Sequence, residues 1–127
     1  MNTPVSFELA KLLKEKGFNN PTEVFYWLED ELNRGVIHRK KTPRQGFFKS
    51  YGGSLLAPTI TEVVMWLYEK HGLHIEILLA EDNPWDKFYY RILKVGQYFS
   101  LSHDGTYRDS PTEAYEAAIE YTLNNLI

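Results

Sequence analysis

The stretch TITEVVMWLYEKHGLHIEILLA, residues 59–80, decides the fold class, because its hydrophobic spacing changes at Gly72. Apolar residues at three- and four-residue spacing precede this glycine, as in an amphipathic helix: Ile60, Val63, Val64 and Leu67. Apolar residues at every second position follow it, as in a strand with one buried face: Leu73, Ile75, Ile77 and Leu79. A helix followed directly by an alternating strand indicates a mixed structure with an antiparallel sheet.

This helix begins with a capping box, in which Thr59 accepts from an amide three residues on and Glu62 reaches back. Met65, Trp66 and Tyr68 widen the apolar stripe, so we expect the helix to be covered on more than one side.

Two further helices carry clear start signals. Ser6 is placed to cap a helix that ends at Gly17 and has Leu9, Leu12 and Leu13 on its apolar side. Ser110, Pro111 and Glu113 form a second capping box with proline at the first helical position. The last helix is expected to bury one face and to carry Glu116 and Glu120 away from it; the buried set is Tyr115, Ala118, Ile119, Thr122, Leu123 and Leu126.

Strand signals fill the intervening segments. Residues 87–95 and 98–102 read as strands, and Asp104-Gly105 suits a hairpin turn. Residues 20–33 fit either a helix or a strand; the run Phe25-Tyr26-Trp27 favours a strand that returns through VIHRK. A short aromatic strand is expected from Phe47 to Tyr51. The prediction is an α+β fold, with three helices packed on a mainly antiparallel sheet in one domain over residues 1–127.

Composition excludes several classes of protein. The chain has no cysteine, which excludes disulfides, thiolate metal sites and a cysteine nucleophile. The N-terminal segment lacks the basic flank of a signal peptide. The longest apolar runs are about six residues, well short of the roughly 20 that span a bilayer. We therefore expect a cytoplasmic protein with no membrane partner.

Three blocks of sequence resemble a known group of proteins: FELAKLLKEKGF, APTITEVVMWLYEKHGLHIEI and SPTEAYEAAIEYTLNNLI. They are similar to a family of small uncharacterised proteins of Bacteroides-type bacteria and of their phages and prophages. The blocks stand there in the same order and cover about half of this chain. The resemblance implies an accessory protein of phage or mobile-element type. It supplies no catalytic residue and favours a strand over residues 23–30.

A basic window is the strongest functional signal in the sequence. Residues 32–61 contain no acidic residue, while the rest of the chain is strongly acidic. The cations and aromatic rings of this window are Arg34, Arg39, Lys40, Lys41, Arg44, Phe47, Phe48, Lys49 and Tyr51. Cations can neutralise phosphates while rings stack on unpaired bases, as in single-stranded nucleic-acid binding. The same residues also suit a charged edge strand or a docking patch for an acidic protein or a second copy.

Catalytic signals are weak. His71 and His74, with Glu69 or Glu76, would be the candidates for a metal site, but the histidine pair spans a helix end. An unidentified hydrolase would use carboxylates with His71 or His74. A favourable interaction of His71 with the helix C-terminus is simpler. We therefore expect no cofactor and no metal, and a non-enzymatic protein that acts by binding a protein partner or itself as a homodimer. Nucleic-acid binding through residues 34–51 is the first alternative, and a hydrolase is the second.

Overall fold

The computed structural model describes residues 3–22, 24–28, 35–39, 54–80, 87–97, 100–102 and 107–127. Within these ranges, three helices and six antiparallel strands confirm the α+β class. In chain order the elements are α1 (Phe7–Glu15), β1 (Val24–Leu28), β2 (Gly35–Arg39), β3 (Ser54–Leu56), α2 (Ile60–His71), β4 (Leu73–Leu79), β5 (Phe88–Lys94), β6 (Ser100–Ser102) and α3 (Pro111–Asn125).

The chain divides into two compact units, residues 2–59 and residues 60–127. Each unit has its own three-stranded sheet, with strand order β2-β1-β3 in the first and β4-β5-β6 in the second. The expected sheet is therefore two sheets, because β3 turns back to pair with β1 and the later strands pair only with one another in the described residues. One domain over residues 1–127 stays a prediction.

In the unit of residues 2–59, α1 has the predicted ends. The Ser6 hydroxyl accepts from the Leu9 amide at 3.3 Å. Gly17 takes a left-handed φ of 93°, which lets the Phe18 amide donate back to the Leu13 carbonyl at 2.9 Å. Phe18 and Leu13 are both buried, so the turn after the helix also contributes to its packing.

The ambiguous segment at residues 20–33 contains a strand. Residues 24–28 pair with residues 35–39 in an antiparallel hairpin, from Val24 opposite Arg39 to Leu28 opposite Gly35. The Tyr26 hydroxyl donates to the Val5 carbonyl at 2.8 Å, which ties β1 to the segment before α1. The strand preference of consecutive aromatic residues therefore prevails over the Asn-Pro helix-start pattern.

In the unit of residues 60–127, α2 packs on β4, α3 packs on β4 and β5, and the two helices pack against each other. The side chains of the sheet that are buried beneath the helices alternate along both strands: Leu73, Ile75, Tyr90 and Ile92. We call this side of the sheet the inner face. Gly72, with φ of 64°, makes the turn from α2 into β4. Of the helices in the described ranges, none is both long and apolar enough to cross a bilayer.

The buried part of the inner face includes fewer residues of β4 than the alternation of apolar residues predicted. Leu79 was expected inward but is 49% exposed. Burial decreases along β4 from Ile75 to Leu79, so the helices cover the first part of the strand more than its end. On α2, Trp66 is buried, but Met65 and Tyr68 are each 48% exposed. The expectation that α2 is covered on more than one side is wrong for these two residues, because the buried stripe follows the helical period through Val63 and Leu67 rather than hydrophobicity alone.

Helix α3 begins as predicted, but the Glu113 side chain bonds a different amide from the one that a capping box uses. The Ser110 hydroxyl accepts from the Glu113 amide at 3.2 Å, and Pro111 occupies the first turn. The Glu113 carboxylate accepts from the amide of Asp109 at 3.3 Å, one residue before the cap. The buried face includes Ala114 as well as Ala118, Ile119, Thr122 and Leu123. Glu116, placed away from that face by the sequence, is half-buried.

Candidate binding surface

Most of the predicted basic window lies outside the described residues: Arg34, Lys40, Lys41, Arg44, Phe47, Phe48, Lys49 and Tyr51. Arg39 is the last residue of β2, paired with Val24. Among the described strands, β2 lies at the edge of its sheet, which is the position that the charged-edge interpretation requires. The role of residues 34–51 in binding nucleic acid or a partner stays a prediction.

The two histidines of the metal and hydrolase hypotheses have separate aromatic neighbours. The His71 ring lies edge-on to Trp66 at 4.9 Å between centroids, and the His74 ring lies edge-on to Tyr68 at 6.4 Å. Residue 71 ends α2, and its carbonyl accepts from the Lys94 ammonium at 3.3 Å. Over the described ranges, no group of three or more histidine and carboxylate side chains is placed to hold a metal ion.

The sheet of the second unit has a further face, opposite the one that α2 and α3 cover. Its residues are the alternate members of β4 and β5, which we call the outer face: His74, Glu76, Leu78, Tyr89, Arg91 and Leu93. His74 is exposed, and the other members are half-buried. The pairing register sets these residues side by side as three cross-strand pairs: His74 with Leu93, Glu76 with Arg91, and Leu78 with Tyr89.

The middle pair of the outer face is an ion pair. Arg91 donates to the same oxygen of Glu76, Oε2, from Nη2 at 2.8 Å and from Nε at 3.3 Å. The hydrogen bonds and the charge of Glu76 raise the pKa of Arg91 above its usual value. Within the described residues, Oε1 of Glu76 and Nη1 of Arg91 make no hydrogen bond. As far as the described part of the chain shows, the pair therefore has an acceptor and a donor left for a further partner.

Apolar and aromatic groups lie on both sides of this ion pair. At one end, the Tyr89 ring meets Tyr107 edge-on at 5.9 Å between centroids, and Tyr107 is 53% exposed. At the other end, His74 meets the half-exposed Tyr68. Tyr107 is held there because the backbone of Arg108 pairs with that of Phe88 at the start of β5. Tyrosine and arginine are among the residue types that are enriched in protein contact surfaces.

Two cavities lie elsewhere in the described residues. One, of about 320 Å³ in the unit of residues 2–59, lies between the end of α1 and β3 and is mostly apolar, with Lys14 among its lining residues. The other, of about 370 Å³ in the unit of residues 60–127, is lined by His71, Leu73, Lys94, Leu126 and Ile127. Neither set of lining residues includes an Asp or Glu side chain or a Ser, Thr or Tyr hydroxyl. The outer face is therefore the better candidate for function.

No protein-family model matches the chain, and neither a curated protein nor a solved structure shows a significant match to it. The resemblance to small proteins of Bacteroides-type bacteria and phages stays a prediction.

The outer face was not predicted as a site from the sequence, where Glu76 is only a possible metal ligand and Arg91 belongs to no motif. Alternation along β4 and β5 does place each residue on one side of its strand. However, the register that sets Glu76 opposite Arg91 depends on the turn between the strands, and the sequence left that register open.

Proposed function

We propose that the protein is a cytoplasmic, non-enzymatic accessory protein, of the kind that phages and mobile elements carry, and that it acts by binding another protein chain. The outer face of the β4–β5–β6 sheet is the surface through which it binds. The observation that supports this proposal is the composition of that face: a central ion pair between half-buried apolar and aromatic residues, with the partly exposed rings of Tyr68 and Tyr107 beside them.

A partner chain on the outer face would be held by the burial of apolar surface and selected by the charged pair. Covering Leu78, Tyr89 and Leu93 removes apolar surface from water, which favours association in proportion to the area. The Glu76–Arg91 pair opposes nonspecific contact, because an apolar partner would desolvate both charges without satisfying them. The face therefore selects a partner that brings complementary polar groups to its centre.

Charge favours a protein over a nucleic acid at this surface. Residues 60–127 contain 11 Asp and Glu against five Lys and Arg. A nucleic-acid interface is usually strongly basic, so this unit would repel a phosphate backbone. Aromatic rings on the outer face then serve as apolar anchors rather than as platforms for bases.

Site-directed photo-crosslinking tests the proposal. p-Benzoylphenylalanine replaces Tyr89 on the outer face, and the same substitution at Tyr121, an exposed residue of α3, is the matched control. Ultraviolet light is applied to cells that produce each variant and to the purified protein at about 100 µM, and the products are identified by mass spectrometry. We expect a covalent adduct to a protein chain at position 89 and at least about fivefold less at position 121.

Adducts of equal yield at both positions, or none at either, would contradict binding through the outer face. An adduct to nucleic acid at position 89 would replace the protein partner with the alternative class.

A further inference from the structure

The outer face is complementary to itself, and we propose that its occupant is a second copy of this chain, docked face to face about a two-fold axis. This inference rests on the proposed function, since it names the partner of the same surface. It follows from the cross-strand register rather than from the composition of the face alone.

The geometry of the proposed dimer is fixed by the pairing of β4 with β5. If a two-fold axis lies in the interface, parallel to the strands and between them, it sets β4 of each copy over β5 of the other at the same height. Every residue of the outer face then meets the residue that is already its cross-strand neighbour: Glu76 meets Arg91, Leu78 meets Tyr89, and His74 meets Leu93. Sheets that stack in this way lie about 10 Å apart with their strands aligned to within about 30°.

Because the pairs within one chain are complementary, the pairs between two chains are complementary as well. An isologous interface needs this property, since each patch must fit its own copy. At the centre, Glu76 Oε1 of one copy accepts from Arg91 Nη1 of the other, and the same bond forms in reverse. These are the two atoms that the intrachain ion pair does not engage in the described residues. Four charges of alternating sign then form a closed ring.

The small size of the face indicates a weak, transient contact. Strands of seven residues run about 23 Å, and neighbouring strands lie about 4.8 Å apart. A face one strand long and two strands wide buries less area than a standard stable interface, and its area lies in the range of transient contacts. The excess of acidic residues in this unit also makes two copies repel at long range, which salt screens over about 8 Å at physiological ionic strength. We expect a dissociation constant between about 10 µM and 1 mM near 150 mM salt.

Charge reversal with complementation tests the inference. Sedimentation velocity from about 10 µM to 1 mM compares the wild type with Glu76→Arg, with Arg91→Glu, with an equimolar mixture of the two, and with the double variant E76R/R91E. Each single variant sets like charges against each other in a homodimer, so we expect self-association to weaken at least about tenfold. The mixture restores every opposite pair between chains, and the double variant restores them within and between chains. We expect both to dimerise within about threefold of the wild type.

Several outcomes would overturn the inference. They are a wild type that stays monomeric to 1 mM, a dimer that neither single reversal weakens, and a mixture that dimerises no better than its components. An intrachain role for the ion pair alone predicts the last of these, so complementation separates the two roles. Circular dichroism checks that each variant folds. A folded double variant that fails to dimerise would also overturn the inference, and this outcome does not depend on the folding of the single variants. A monomeric wild type together with an adduct to a different protein at position 89 would reject the self-association and keep the proposed function.

Discussion

The two faces of the β4–β5 pair differ although their residues alternate along the same two strands. Ile75 and Ile92 lie opposite each other on the inner face and are almost fully buried beneath α2 and α3. Glu76 and Arg91, each adjacent to one of these isoleucines in its strand, form an ion pair on the outer face with side chains 34% and 40% exposed. The comparison teaches that one pair of strands can carry both the core and the surface that we propose for binding: a shift of one residue along the strand moves a side chain from one to the other.

The largest expected effect is the loss of folding stability when a side chain of the inner face is truncated. The same kind of truncation on the outer face should cost much less. Ile92→Ala removes a fully buried side chain, and such truncations cost about 2–5 kcal/mol. Leu93→Ala, at the next residue on the outer face, is the matched variant and should cost less than about 1.5 kcal/mol, since it leaves no enclosed cavity. Urea denaturation followed by circular dichroism measures both. Equal losses would mean that the two faces are buried alike.

A smaller effect on stability is expected at Glu116, whose surroundings differ from those of Glu76. Glu76 has Arg91, whereas Glu116 on α3 is half-buried, and its pKa is raised mainly by burial and secondarily by the negative charge of Glu113. A carboxyl whose folded pKa is raised opposes folding when it is ionised, and this penalty fades as the pH falls through the folded pKa. Glu116→Gln should therefore stabilise the protein at pH 7, by less than about 0.5 kcal/mol.

The gain from Glu116→Gln should shrink in acid, as the wild-type carboxyl takes up its proton. Urea denaturation between pH 7 and pH 4 measures the trend, and Glu120→Gln, at an exposed position one turn later, is the control that should change stability little. A gain that persists unchanged at the acid end, or a destabilisation at pH 7, would contradict the burial of the charge.

Local patterns in the sequence predicted the elements well because their causes are local. Ser6 and Ser110 cap helices through bonds to amides three residues on, and Gly72 makes the turn out of α2. The strand over residues 24–28 was also indicated, because consecutive aromatic residues suit a pleated surface. In each case the residues that decide the structure are within a few positions of one another.

The sheets and the candidate site depend on contacts between distant residues, and this explains what the sequence left open. The return of β3 to β1 joins residues about 30 positions apart and produces the first of the two sheets. The Glu76–Arg91 pair depends on register, and the exposure of Leu79 depends on where the helices end above the strand. Periodicity assigns a side chain to one side of its element, but tertiary packing decides whether that side is covered.

The most direct test of the central claim is the concentration dependence of methyl resonances on the two faces. Leu78 and Leu93 report on the outer face, and Ile75 and Ile92 report on the inner face of the same strands. In spectra of methyl-labelled protein from about 20 µM to 1 mM near 150 mM salt, we expect the Leu78 and Leu93 signals to shift along a single binding curve while the Ile75 and Ile92 signals stay in place. Constant Leu78 and Leu93 signals, or equal shifts on both faces, would contradict self-association through the outer face.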